Sequence, residues 1–360
     1  MMMASKHQHL SGVALAVALL CATGSMPALA HHSRAAFDLS NKSEIKARIT
    51  EVRWTNPHVF LVGQVTNAQG QIEEWTFEGH SVSGLSHAGW TRDTVKKGDE
   101  LLLVVNRHRD SAKHFALMDH VILPDGTRVY SVGVPPTDPS KPKPAVTASS
   151  DFSGNWKMQF PGTPEQQRER ILLGTPAPAK DGPYTARARA QVAAYKADSN
   201  PTLRCIAPGL PYLLATVYEY KWARYSDRIV IEKEQFNEST RVIHLDGKPR
   251  PANFKPSVLG WSTGHFEADG SLVVETSGFS TTPWGNGSGI DSGVGKKITE
   301  RYKLGNGGLT LNLSWTQEDP EYFTQAVKGE ALFNKMPDFN FAKNPPCDLK
   351  AAQQHLQYDK

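Results

Sequence analysis

Histidine is the residue this sequence gathers most conspicuously. Of thirteen, eight lie in one stretch: His31, His32, His58, His80, His87, His108, His114 and His120. The first two gain their meaning from what precedes them. Residues 4–30 have the three parts of a secretory signal: a polar start with Lys6, an apolar run from Val13 to Leu20, and small residues at Ala28 and Ala30. Cleavage after Ala30 would make His31 the first residue, its α-amine beside its own imidazole. Those two nitrogens can chelate one metal, and a third imidazole completes a nitrogen-rich site suited to Cu(II). His32 offers a competing mode through the intervening amide. His58, which follows Pro57 at a strand entrance, is the preferred third ligand. His80 and His120 are held in reserve, since Glu78 and Asp119 near them could orient an imidazole. The alternative is eight ordinary surface or hydrogen-bonded histidines.

The second half of the chain offers acid–base pairs instead. In RVIHLDG, His244 and Asp246 stand two apart and would share one face of a strand, as would His265 and Glu267 in GHFEADG. For each pair the plainer reading is a hairpin-turn acid beside a solvent-facing histidine. Glu318 and Asp319 read as turn acids ahead of Pro320. The chain has no Walker-type glycine-rich phosphate loop and no HExxH helix, which argues against nucleotide enzymes and helical zinc proteases.

These residues need elements to hold them. Removing 30 residues from 360 leaves 330, enough for two domains at ~100–200 residues each. A net charge of +4 gives no electrostatic case for nucleic acid or an anionic membrane. The apolar run in the signal is shorter than the ~20 residues a membrane helix needs, and no later stretch competes with it, so no integral membrane segment is expected after cleavage. Leu20 before Cys21 fits a lipoprotein signal poorly. Cys205 and Cys347 then remain, and an even pair in an oxidising compartment reads as one disulfide, with two buried thiols as the alternative. The expected location is periplasmic or secreted.

The proline-rich run at 134–150 is a linker between a first domain at 31–133 and a second at 151–360. In the first, five alternating strands with a short helix between the third and fourth predict an OB-like barrel. In the second, Gly154-x-Trp156 suggests a lipocalin-like opening whose tryptophan plugs one end. A helix is expected around 185–197. Strands follow at YLLATVYEYKW, DRIVIEKEQF, STRVIHLDG, GHFEADGSLVVETSGF, ITERYKL and GLTLNLSWTQE, with tight hairpins at Asp246-Gly247 and Asp269-Gly270. The fold class is therefore mainly β, with the second domain an antiparallel barrel or sandwich. Tyr212, Tyr218, Tyr220, Trp222, Tyr225, Trp261, Trp284 and Trp315 crowd this domain. Some must be core, but an excess over what the core requires suggests an apolar cavity, with the glycine-rich segment 284–297 either a mobile loop over its mouth or an ordinary hairpin loop.

Four motifs in order, HHSRAAFD (31–38), WTNPH (54–58), EGHS (78–81) and GWTRDTVKKGD (89–99), resemble the N-terminal module of an uncharacterised family of exported bacterial two-module proteins. NPTLRCIAPGLP (200–211), RVIHLDG (241–247), GWSTGHFEADGSLVVETSGF (260–279) and TQEDP (316–320) are similar to its partner module, with Ala268 where that pattern has Gly. The resemblance implies no chemistry, but it places His31, His32 and His58 inside recognisable motifs.

Two functions stay open at this stage. One is a binding protein with copper at the mature N-terminus and a small apolar or aromatic molecule in the barrel. The other is an extracytoplasmic enzyme on a small aromatic or hydrophobic substrate, using His244, Asp246, His265 or Glu267 for proton transfer, or copper for oxidation.

Overall fold

The computed structural model describes residues 36–132, 146–147, 151–163, 165–167, 171, 177–234, 240–337 and 345–357. The signal segment, His31, His32 and nearly all of the proline-rich linker lie outside the described residues. The protein is mainly β and forms two closed barrels.

The first barrel begins with β1 (Ser43–Arg53), where Ile45, Ala47 and Ile49 are buried and Glu44, Lys46 and Arg48 face water. This period of two is what a half-buried strand requires. Next come β2 (Phe60–Thr66), β3 (Ile72–Glu78), α1 (Val82–His87), β4 (Glu100–Arg107), β5 (Phe115–Ile122) and β6 (Arg128–Tyr130). β1 pairs with β2 and β4, β4 with β5, and β5 closes on β3 in parallel. Five strands closed this way, with a helix before the fourth, have the OB-type order expected. The three-residue β6 only extends the edge of β5. Ser81 caps α1, its hydroxyl accepting from the Gly84 amide at 3.1 Å.

The second barrel has nine strands: β7 (Gly154–Met158), β8 (Tyr220–Arg224), β9 (Arg228–Lys233), β10 (Arg241–His244), β11 (Trp261–Phe266), β12 (Leu272–Ser277), β13 (Lys297–Gly305), β14 (Thr310–Glu318) and β15 (Val327–Met336). Between β7 and β8 lies α2 (Ala186–Ala193), capped by Thr185. Trp156 is fully buried, and its indole donates to the Phe152 carbonyl at 3.0 Å.

Two sequence expectations change here. An odd number of strands cannot close with every neighbour antiparallel, and the parallel pair is β10–β11. Parallel neighbours need a crossover rather than a tight turn. Asp246-Gly247 therefore opens a long connection, whereas Asp269-Gly270 does turn the β11–β12 hairpin. The expected strand from Tyr212 is also absent. Pro211 has no N–H to give a sheet ladder, and Tyr212–Leu214 form a 3-10 turn that packs into the barrel core, so the strand starts only at Tyr220.

The barrel interior is not wholly apolar. Arg241 donates to Glu300 at 2.6 and 2.7 Å, and the Tyr302 hydroxyl donates to the same carboxylate at 2.6 Å. Ser262 accepts from Nε and Nη2 of the same guanidinium, and Thr276 accepts from Nη2.

The C-terminal segment returns to the first barrel. Asn56 forms a parallel bridge with Cys347, its side chain donates to the Pro345 carbonyl at 3.1 Å, and its carbonyl accepts from the Asp348 amide at 2.8 Å. Ala351 of α3 (Leu349–Ala352) packs among Phe37, Phe60, Phe115 and Leu117. A Cys205–Cys347 disulfide ties this segment to the second barrel. No helix among the described residues is long and apolar enough to cross a membrane.

Candidate functional site

The histidines of the first barrel are mostly committed to local partners. His58 donates from Nδ1 to the Gly79 carbonyl at 3.1 Å and lies 3.3 Å from Glu78. His80 sits 3.1 Å from the Ser81 hydroxyl, and its ring leans on Tyr218 of the second barrel. A Cβ at position 84 would lie 2.0 Å from the His80 ring, so glycine there makes room for it. His120 pairs with Asp119 at 2.7 Å. Burial would raise the Asp119 pKa, but the hydrogen bonds from His120 and Lys42 outweigh it and hold the carboxyl below its usual range. Among the described residues, His58, His80 and His120 do not form a set of three donors within metal-binding reach of one another.

The acid–base candidates of the second barrel stay apart. His244 alternates with the inward-facing Ile243 and stacks on Trp261, with ring centroids 3.9 Å apart. Asp246 pairs with Lys248 at 2.8 Å. His265 is exposed on β11, and Glu267 is bound by Arg301 of β13.

Two pockets involve the second barrel, one very small and one open. Beneath the 3-10 turn, an enclosed cavity of about 20 Å³ touches Leu213, Tyr220, Lys233, Arg241, Tyr302 and Phe333. That is room for about one water, where a ring such as benzene occupies a cavity of roughly 150 Å³. Lys233 reaches the Leu213 carbonyl and the hydroxyls of Thr216 and Tyr220, and burial pushes its pKa well down.

A second, open pocket has a volume of about 880 Å³ and is lined by Met158, Phe160, Tyr212, Leu313, Trp315 and Val327 among others. The Trp315 ring covers Gly329 on the neighbouring strand so closely that a Cβ there would lie 2.1 Å from it. Asn286 and Gly287 bring the glycine-rich segment to the same pocket.

That segment is anchored instead of hanging free. Asp319, expected as a turn acid, is buried and accepts from Asn286 and from the Gly293 amide, both at 2.8 Å. Lys296 is buried too and donates to the carbonyls of Leu210 at 2.7 Å and Gly285 at 3.0 Å. Burial lowers its pKa to about 7, against the opposing charge of Asp319.

One further cluster crosses from barrel to barrel. His87, the last residue of α1, points Nε2 at Glu234, 2.5 Å away, and at Glu219, 3.2 Å away. Lys157 of β7 donates to the other oxygen of Glu219 at 2.6 Å. Both carboxylates are buried, with side-chain exposures of 2% and 0%. Burial acts to lower the His87 pKa, but the hydrogen bond to Glu234 and the charges of both glutamates reverse that and raise it. Burial acts to raise the Glu219 pKa, and Lys157 and His87 prevail in lowering it.

Neither glutamate stands out in sequence, since each lies beside tyrosine or lysine, just outside the ends of β8 and β9. The readable signal is register. β8 and β9 pair Tyr220 with Lys233, so a hairpin centred on residues 226 and 227 sets Glu219 opposite Glu234. The Glu234 amide donates to the Glu219 carbonyl at 3.2 Å.

Residues 18–116 match the model of a family of unknown function, DUF6152. The match spans the first barrel as far as the start of β5. No curated protein and no solved structure matches the chain.

Proposed function

We propose that this chain is an exported binding protein, periplasmic or secreted, whose second barrel takes a small apolar or aromatic molecule in the open pocket beside Trp315. The observation that carries this reading is the pocket's size and wall. About 880 Å³ falls within the ~300–1,000 Å³ usual for small-molecule sites. Tyr212 and Trp315 supply aromatic faces, while Asn286 and Gln317 supply polar groups that could orient a ligand. The anchored glycine-rich segment gives the site a preformed edge, which reduces the ordering cost of binding. Export is supported by the signal-like segment at 4–30 and by the Cys205–Cys347 disulfide, a bond that persists in oxidising compartments.

The same reading keeps a copper site at the mature N-terminus. Its support is the His31-His32 sequence. A ligand at His58 would have to use Nε2, since Nδ1 faces Gly79 and Glu78. Copper lost when one residue is added before His31 would place the α-amine in that site.

Pocket binding is tested by titrating the protein with 2-naphthol while following tryptophan fluorescence. Saturable binding weakened at least ~10-fold by W315A, the loss of an aromatic wall worth roughly 1–2 kcal/mol, supports the reading. Absence of saturable binding to 2-naphthol and to a panel of small apolar molecules, or equal affinity in W315A, would overturn it.

A further inference from the structure

We propose that His87, Glu219 and Glu234 form a binding site for a first-row divalent cation, zinc foremost, at the junction of the two barrels. This site is separate from the apolar pocket, and it draws its ligands from both halves of the chain.

One imidazole nitrogen and two carboxylate oxygens are ligand types zinc accepts, at ~2.0–2.2 Å each, with a fourth position left for water. The imidazole favours zinc and its first-row neighbours over calcium or magnesium, which prefer oxygen alone. Among the described residues, this is the one group of three such donors whose atoms all lie within 4.8 Å of one another.

The distances fit a small adjustment. Around a tetrahedral ion with bonds near 2.1 Å, ligand atoms sit ~3.4 Å apart. His87 Nε2 is already 3.2 Å from Glu219 and 2.5 Å from Glu234, so the second contact must open by less than about 1 Å.

Orientation is also provided for. Lys157 holds Oε1 of Glu219, and the oxygen that faces His87 is Oε2. A ligating carboxylate held through its other oxygen is a usual outer-shell arrangement around metals.

The register supplies an independent argument. Glu219 and Glu234 stand opposite each other on an antiparallel hairpin, a placement that is unfavourable for like charges. Burial makes it more so, because a buried carboxylate needs a compensating charge. Lys157 serves one edge of the pair, and His87 sits between the two oxygens on the other side. A divalent cation in that position would balance both carboxylates and leave the imidazole neutral as a ligand.

The test uses the mature protein, stripped with a chelator and titrated with Zn²⁺ against a chromophoric competitor. We expect one zinc whose affinity falls by more than about 100-fold in H87A and in E234Q, and by about 10-fold in K157M, the scale of an outer-shell loss. H87A could loosen the junction by itself, so E219D serves as a second variant. It keeps the charge and withdraws the carboxylate by one methylene, and it should weaken zinc while the metal-free protein still unfolds cooperatively. The double variant H31A/H32A should retain this zinc. Failure of the stripped protein to bind zinc overturns the proposal, and so does zinc that binds H87A and E234Q as tightly as wild type, whether or not it disappears in H31A/H32A.

Discussion

Asn56 and Cys347 lie side by side in a parallel bridge, although 291 positions separate them in the sequence. The Asn56 side chain donates to Pro345 and accepts from the Val82 amide at 3.1 Å, so one buried amide joins β1's exit, α1 and the C-terminal segment. We expect N56A to lower stability by about 2–3 kcal/mol, the cost of leaving buried partners unsatisfied. A urea-unfolding midpoint equal to that of the wild type would show that Asn56 does not hold the segment.

The disulfide links residues 142 apart in the chain. Replacing both cysteines, as C205S/C347S, should cost about 2–5 kcal/mol, the usual loss for a native bridge. Guanidinium denaturation of wild type with and without reductant, beside the double variant, measures it. Reduced wild type and variant should coincide.

Lys296 predicts a dependence on alkaline pH. Its folded pKa is about 7, below the ordinary 10.5, so between those values the unfolded chain binds the extra proton. Stability from this group therefore rises as pH increases from about 7 towards 10.5 and is flat below that window. K296M removes the group, and its stability should rise less steeply with pH than that of wild type. Parallel curves from pH 7 to 10.5 would contradict this.

Inside the second barrel, Arg241 and Glu300 form a buried ion pair. E300Q leaves the guanidinium charge uncompensated and should cost about 3–5 kcal/mol. The double variant R241M/E300Q should lose less than the sum of the single changes. Chemical denaturation of all four proteins closes that cycle, and additive losses would mean that the two side chains act independently.

Much of the fold was legible because its signals are local. Ile45, Ala47 and Ile49 alternate with charges, the GlyxTrp opening buries Trp156, and Asp269-Gly270 turns a hairpin. What escaped depends on contacts distant in sequence. Nothing near Asp246 indicates that β10 and β11 run parallel, since that follows from closing nine strands. Asp319 is the turn acid its sequence suggests, its Oδ1 accepting from the Glu321 amide, but nothing local shows that its Oδ2 also accepts from Asn286 and Gly293. The histidines drew attention by number, yet His87 is distinguished only by Glu219 and Glu234, more than 130 positions further on. Hairpin register would have found the two glutamates, and no local feature points to their partner.

The docked C-terminal segment also bears on the order in which the molecule can be completed. A chain is made from its N-terminus, and its domains tend to fold as they emerge. Here Phe37, Phe60 and Phe115 of the first barrel receive Ala351 as a neighbour, and Asn56 receives Pro345. The first barrel thus emerges before the second but keeps an apolar face uncovered until residues 345–352 have been synthesised. A chain cut short before residue 345 would present that face to solvent together with an unpaired Cys205, and would be marked for aggregation by its earliest-made half.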